Sequence, residues 1–283
     1  MSRLPQPLNA RQSGYSLVEL LVAIVIALFL IGGVIIIEQS VHTSYADRSG
    51  LQKLDDEERF AMTLLTEVVQ SAGYYPDPST NSIVTAFPAQ NTTVPNNAGD
   101  ALSFATGQTL YGLHSTLTAN GQTSSNDTLA VRYMTASGDG IPLCDGTSNT
   151  SGGNVVYTNY FYIQTAPDPD PSKPPDSFLY CALEADNAWA ATTPVQLVKN
   201  VQSIQIDYGL HVPSGQITTP GDYAVNVYVP AADMTTTPTN EWLEVTAVRI
   251  TVTFVNPLQN EAGQPQTVTF TKVIDVMGRA GGN

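Results

Sequence analysis

The stretch GYSLVELLVAIVIALFL, Gly14–Leu30, decides how the rest of the chain is read. It holds one charge, Glu19, and from Leu20 to Ile37 there is no further charge. At a rise of about 1.5 Å per residue, that uncharged run makes a helix about 27 Å long, close to the ~30 Å hydrocarbon thickness of a bilayer. The residues before it, Met1–Gly14, carry Arg3, Arg11 and the initial amine and no acid. A basic flank before an apolar run keeps the N-terminus in the cytoplasm and sends the C-terminal remainder of the chain across the membrane. Glu19 fits this badly, because a carboxylate in hydrocarbon costs about 2.5–3.5 kcal/mol on insertion scales and is as a rule paired and functional. A cleaved secretory signal explains the address only. Its apolar core is usually about 7–15 residues, shorter than this run, and the small-x-small site Ser44-Tyr45-Ala46 lies well past the run. A plain single-span anchor leaves the spacing of Gly14 and Glu19 without a cause.

The helix does not stop at the end of the apolar run. From Glu38 to Gly73 there is no proline, and Leu51, Leu54, Met62, Leu65 and Val69 recur at helical spacings, with Asp55, Asp56, Glu57 and Arg59 largely off their stripe. Gly73 is a natural stop, and Pro76 and Pro78 forbid continuation. The pattern predicts one helix from about Tyr15 to about Ala72. Gly32-Gly33 costs about 1 kcal/mol per glycine against alanine. It serves either close packing against another membrane helix or a soft point in this one.

Beyond Tyr74 short apolar runs alternate with Gly, Pro, Asn, Ser and Thr. The pattern predicts strands at Ala101–Ala105, Thr128–Met134, Val155–Ile163, Phe178–Leu183, Val201–Tyr208, Tyr223–Val229, Val245–Phe254 and Thr267–Val276. Val201, Ile204 and Ile206 alternate with polar residues, as do Val248, Ile250, Val252 and Phe254, which leaves Arg249 facing out. No helix-length crossovers separate these runs, so the sheet is antiparallel. Pro76–Gly99, Gly138–Gly153 and Ala166–Ser177 read as long linkers poor in core residues, the last a proline-rich exposed loop.

The chain has 283 residues, 42% of them apolar and 13% charged, and a net charge of −14. A nucleic-acid binder needs a basic footprint, and none is present. Cys144 and Cys181 are too few for a four-ligand zinc site. They pair in an oxidising compartment, where the closed loop contributes about 4 kcal/mol, or they are two buried thiols. Asp168 with Asp170, or Asp139 with Asp145, lacks the spaced acidic loop and closing glutamate of a calcium site and reads as solvated loop acids. Asn91, Asn126 and Asn149 each open an N-x-Ser/Thr triplet, a chance pattern in so Thr-rich a chain. His42, His114 and His211 have no metal spacing. No nucleophile elbow, phosphate loop or dinucleotide fingerprint appears, so neither an enzyme, a cofactor nor a metal site is expected.

Gly14-Tyr15-Ser16-Leu17-Val18-Glu19-Leu20-Leu21 resembles the processing motif of type IV prepilins and pseudopilins. In that family a basic leader ends in Gly, a prepilin peptidase cuts after it, and the new N-terminal residue is N-methylated. The resemblance implies cleavage between Gly14 and Tyr15 and methylation of Tyr15. That position is usually Phe, so Tyr15 is a mild departure. It makes Glu19 the fifth residue of the mature chain, the family's glutamate, whose implied role is to pair with the Tyr15 amine of a neighbouring subunit and set the axial register of assembly.

Two segments near the C-terminus carry a second resemblance. Val201, Ile204, Gln205, Ile206, Tyr208 and Gly209, then Trp242, Val245, Val248 and Arg249, are similar to paired strand motifs of the minor pilin PilW group. Residues 74–200 match neither motif, and the ending VIDVMGRAGGN departs from that group's Arg-Asn terminus. The implied fold is α+β and type IV pilin-like: a long N-terminal helix, transmembrane in its first half, packed on an antiparallel β-sheet head. The implied parts are a leader over 1–14, a membrane or fibre-core segment over 15–37, an amphipathic half-helix over 38–73 and a β-rich head over 74–283. The implied function is that of a minor pilin in the priming or tip complex of a type IV pilus, supporting twitching motility and adhesion. Its partners would be other minor pilins, the major pilin, prepilin peptidase and the inner-membrane assembly platform. It would sit in the inner membrane by a single span, head in the periplasm, and then in the pilus at the cell surface. The alternatives are a J-type pseudopilin of a type II secretion system and an adhesin module carried on a pilus.

Overall fold

Helix α1 spans Leu17–Gln70 in a computed structural model that describes residues 16–96, 98–119, 122–166, 176–190, 194–210 and 225–277. The chain divides into two units, residues 1–50 and 51–283. In the first, every apolar side chain of α1 from Leu17 to Ile37 is exposed. Val and Ile are mediocre helix formers in water, but a backbone with no water to bond satisfies its own N–H and C=O groups best as a helix.

In the second unit α1 turns one face inward, burying Leu54, Ala61, Met62, Leu65, Val68 and Val69. Leu51, expected on this stripe, is 43% exposed, because the core that α1 covers begins only at Leu54. The helix ends at Gln70, two residues short of the sequence expectation. Gly73 then adopts φ +76° and its amide leaves the helix to donate to the Arg132 carbonyl at 2.9 Å. Only glycine takes that left-handed conformation cheaply.

A one-turn helix α2 (Ile83–Ala86) precedes the strands. The first strands are β1 (Gln90–Thr93), β2 (Ala101–Phe104), β3 (Leu110–Leu113), β4 (Thr116–Ala119), β5 (Gln122–Ser125), β6 (Thr128–Thr135) and β7 (Val155–Ala166). Then come β8 (Asp176–Ala185), β9 (Ala188–Trp189), β10 (Val195–Lys199), β11 (Val201–Leu210), β12 (Val227–Pro230), β13 (Val245–Val255) and β14 (Thr267–Asp275). All the strand pairs are antiparallel. One sheet runs β10-β8-β7-β6-β3 with β9 on β8, a second runs β12-β11-β13-β14, and β1-β2 and β4-β5 are separate hairpins. The fold is α+β, a long N-terminal helix with an antiparallel head.

The larger sheet is buried on both faces, which is why β6 shows no inside–outside alternation. Leu129, Val131 and Tyr133 point into the main core with α1 and the β11–β13 face. Ala130, Tyr160, Tyr162 and Tyr180 point into a second core closed by Val94, Leu102 and Phe104 of the β1–β2 hairpin region. Pro76–Gly99 is therefore no bare linker: it supplies α2, β1 and the buried Phe87 and Val94. Gly138–Gly153 likewise buries Leu143, Cys144 and Asn149. Its polar composition hid this, because the turn is anchored by side-chain bonds to backbone. Asn149 Nδ2 donates to the carbonyls of Thr135 (2.7 Å) and Gly153 (2.9 Å), and the Cys144 amide donates to Asn159 Oδ1 at 2.9 Å. Cys144 and Cys181 are joined as a disulfide with Cα atoms 6.1 Å apart, tying this turn to β8.

The second core holds a buried cation. Arg132, 1% exposed, donates from Nη1 to the carbonyls of Pro88 (3.2 Å) and Gln108 (3.4 Å) and lies over the rings of Phe104 and Phe87. Burial lowers its pKa to about 10, against the pull of the nearby Glu184 carboxylate. Glu184 is buried too and accepts from Gln90 Nε2 and Thr92 Oγ1, both at 2.8 Å, fastening β1 to the sheet.

Candidate assembly interface

The N-terminal unit presents a polar headpiece on an apolar rod. Gly14 and Tyr15, the expected cleavage and methylation positions, lie outside the described residues. Ser16-Leu17-Val18-Glu19 forms the start of α1, and Glu19 Oε2 accepts the Ser16 amide at 3.2 Å, the returning half of a capping box. Glu19 thus satisfies one of the helix's orphan donors as well as placing a carboxylate in its first turn. Ala23 and Ala27 succeed Glu19 at intervals of four residues, so the strip beneath the carboxylate is low in relief and admits another helix closely. The apolar portion of α1 is long and uncharged enough to cross a membrane.

The paired strand motifs of the head meet in one place. Val201, Ile204, Ile206 and Tyr208 on β11 face the main core, and β13 pairs beside them with Ile206 opposite Ile250 and Tyr208 opposite Val248. Trp242, in the 3-10 turn Glu241–Glu244, packs edge-on against Tyr208 with ring centres 4.8 Å apart and lies 5.1 Å from Tyr111 of β3. The Tyr208 side chain is fully buried, its hydroxyl has no partner among the described residues, and burial holds its pKa far above the usual tyrosine range. Gly209 is dictated by space: a Cβ there would lie 2.9 Å from Val225 Cγ2 and 3.2 Å from the Ala247 carbonyl. Arg249 lies on the outward face of β13, as expected, and is half-exposed there. Its Nε and Nη2 donate to Asp207 Oδ2 at 3.1 and 2.9 Å, and its guanidinium lies 4.5 Å from the Tyr228 ring centre. Asp207 on the neighbouring strand draws the side chain along the sheet surface rather than into water.

Asp127 joins the two large sheets. Its amide donates to the Ile204 carbonyl at 3.0 Å, its Oδ2 accepts the Ile206 amide at 2.8 Å, and its Oδ1 lies 2.6 Å from His114 Nδ1.

Residues 160–277 match the family profile of Type IV Pilus-assembly protein W, and residues 9–35 match the prokaryotic N-terminal methylation motif. The chain thus joins an N-terminus similar to that of prepilins to a head whose second half is similar to PilW. Neither a curated protein nor a solved structure matches it. The PilW match runs from within β7 past the end of β14, so it takes in Tyr208, Gly209, Trp242 and Arg249. The polar groups of the head are used in its turns. Asp139 accepts the amides of Ala136 and Ile141, and Asp145 accepts the amide and hydroxyl of Thr147, so both acids shape turns. Among the described residues no three His, Cys, Asp or Glu side chains group as a metal site. Asp168, Asp170 and His211 lie outside the described residues. Asn126 and Asn149 are buried, as suits triplets that arose by chance.

Two structural duties, the capping by Ser16 and the burial of Arg132, are absent from the sequence expectations. The Ser-x-x-Glu spacing of Ser16 and Glu19 is a capping-box signal open to view. Nothing local marks Arg132, whose burial depends on Phe87, just after α2, and Phe104, at the end of β2.

Proposed function

We propose that this chain is a minor pilin that joins other pilins in the priming or tip complex of a type IV pilus. The supporting observation is the presence on one chain of the methylation motif at residues 9–35 and the PilW match at residues 160–277. On this reading prepilin peptidase cuts between Gly14 and Tyr15, Tyr15 is N-methylated, and the exposed apolar face of α1 packs first in the inner membrane and then among the helices of the fibre. The basic flank Arg3 and Arg11 stays cytoplasmic, and the head forms its Cys144–Cys181 bond in the oxidising periplasm. The new Tyr15 ammonium of one subunit meets Glu19 of its neighbour; such a pair adds little stability but fixes register.

A deletion strain tests this. Loss of surface pili and twitching, restored by the intact gene, is expected. Loss of exoprotein secretion with twitching intact indicates a type II pseudopilin, and normal piliation with lost attachment indicates an adhesin.

A further inference from the structure

A groove of about 550 Å³ opens in the unit formed by residues 51–283, beside the last turns of α1. Its lining includes Glu67 and Tyr74 near the helix end, Asp139, Ile141 and Pro142 in the turn after β6, and Met277 after β14. That volume lies within the usual range of binding clefts, about 300–1,000 Å³.

The groove is firmly built. The Tyr133 hydroxyl donates to the Pro142 carbonyl at 2.7 Å, Leu143 is 1% exposed, and Cys144 is bonded to Cys181. Asp139 takes two backbone amides, which uses two of the roughly four lone-pair positions of its carboxylate and leaves its charge at the groove. The Glu67 carboxylate is exposed and has no partner among the described residues, and no Lys or Arg among them lines the groove. Apolar surface lies open beside these charges, with Tyr74 41% and Met277 65% exposed.

Two carboxylates beside an aromatic ring, a proline and a thioether suit a side chain with an apolar stem and a cationic end. We infer that this groove docks a Lys or Arg side chain flanked by apolar residues, carried on a different subunit of the same filament. This rests on the pilin reading, which brings another subunit within reach. A second copy is the poorer occupant. The chain carries 25 acids against 11 Lys and Arg, and association of like-charged surfaces is penalised.

The test uses the full-length protein in detergent micelles, with ¹³C-methyl methionine and the Met277 resonance assigned through Met277→Leu. The probe is acetyl-Leu-Arg-Leu-amide and the control is acetyl-Leu-Glu-Leu-amide. The arginyl peptide is expected to shift the Met277 methyl saturably, with binding about two- to fivefold weaker in Glu67→Gln and weaker again at raised salt. An absent shift, or an equal response to the glutamyl peptide, overturns the inference. Binding that appears only once Arg279→Ala is introduced assigns the groove to the chain's own end and overturns it too. If peptide binding fails while the chain still enters pili, the docking inference falls and the pilin reading stands.

Discussion

The Tyr208 hydroxyl occupies the space that a Cβ on Gly112 would fill. With the Tyr208 Cζ and the Thr128 carbonyl both 2.9 Å from that position, nothing larger than glycine fits. Tyr208 thus reaches from β11 across the core to β3, pinned on its other side by Trp242. Tyr208 is a spacer between the two sheets.

Gly112→Ala should therefore destabilise the head by about 1–3 kcal/mol, the range for overpacking a well-filled core. Tyr208→Phe removes a hydroxyl that has no partner among the described residues, so it should cost little alone; it removes the nearest of the three contacts at Gly112 but leaves Cζ and the Thr128 carbonyl, so it should restore only part of the Gly112→Ala loss. A double-mutant cycle in urea reads the coupling; strictly additive effects would show that the two positions do not meet.

This relationship marks the limit of what was legible in the sequence. The α1 boundaries, the main strands and the inward faces of β11 and β13 come from local periodicity and from Gly73, Pro76 and Pro78. The short strands β3 and β10 were missed, because four or five residues of half-buried sheet carry too little pattern. The need for glycine at 112 was invisible, since it arises from a tyrosine 96 positions later. The buried Arg132 escaped for the same reason: its acceptors Pro88 and Gln108 are long-range partners.

Alkali should unfold the head abruptly. Burial raises the pKa of Tyr208, Tyr133, Tyr160 and Tyr162 well above the ordinary value of 10.0. The folded state therefore holds these protons longer than the unfolded chain, so their contribution is whole below pH 10 and is lost as pH rises beyond it. Arg132 acts in the opposite sense: with its pKa lowered to about 10, its cation weakens the fold below pH 10, and this cost fades as pH rises further. Four tyrosines outweigh the relief at one arginine. Tyrosinate absorbance near 295 nm should show these four ionising only together with loss of the fold seen by circular dichroism; ionisation of all tyrosines near pH 10 with the fold intact contradicts this.

Replacing Cys144 and Cys181 together by alanine should lower head stability by about 2–4 kcal/mol, since the bond closes a loop spanning 37 positions. The loss should appear equally on adding reductant to the wild-type protein. An unchanged midpoint in denaturant under reducing conditions contradicts it.

Glu19 has two separable duties, and two variants divide them. Glu19→Gln keeps an oxygen able to accept the Ser16 amide but drops the charge, whereas Glu19→Ala loses both. Both should insert into the membrane as well as wild type or better, given the cost of a charge in hydrocarbon. Both should enter sheared pili poorly if charge pairing with Tyr15 governs assembly. Wild-type entry of Glu19→Gln with failure of Glu19→Ala would assign the requirement to the cap instead.

The most direct measurement is mass spectrometry of this chain recovered from sheared, purified pili. A minor pilin gives a low-abundance chain that begins at Tyr15, carries one N-methyl group there and lacks residues 1–14. Recovery only from the membrane fraction with residues 1–14 still attached, and none in the filaments, contradicts that assignment.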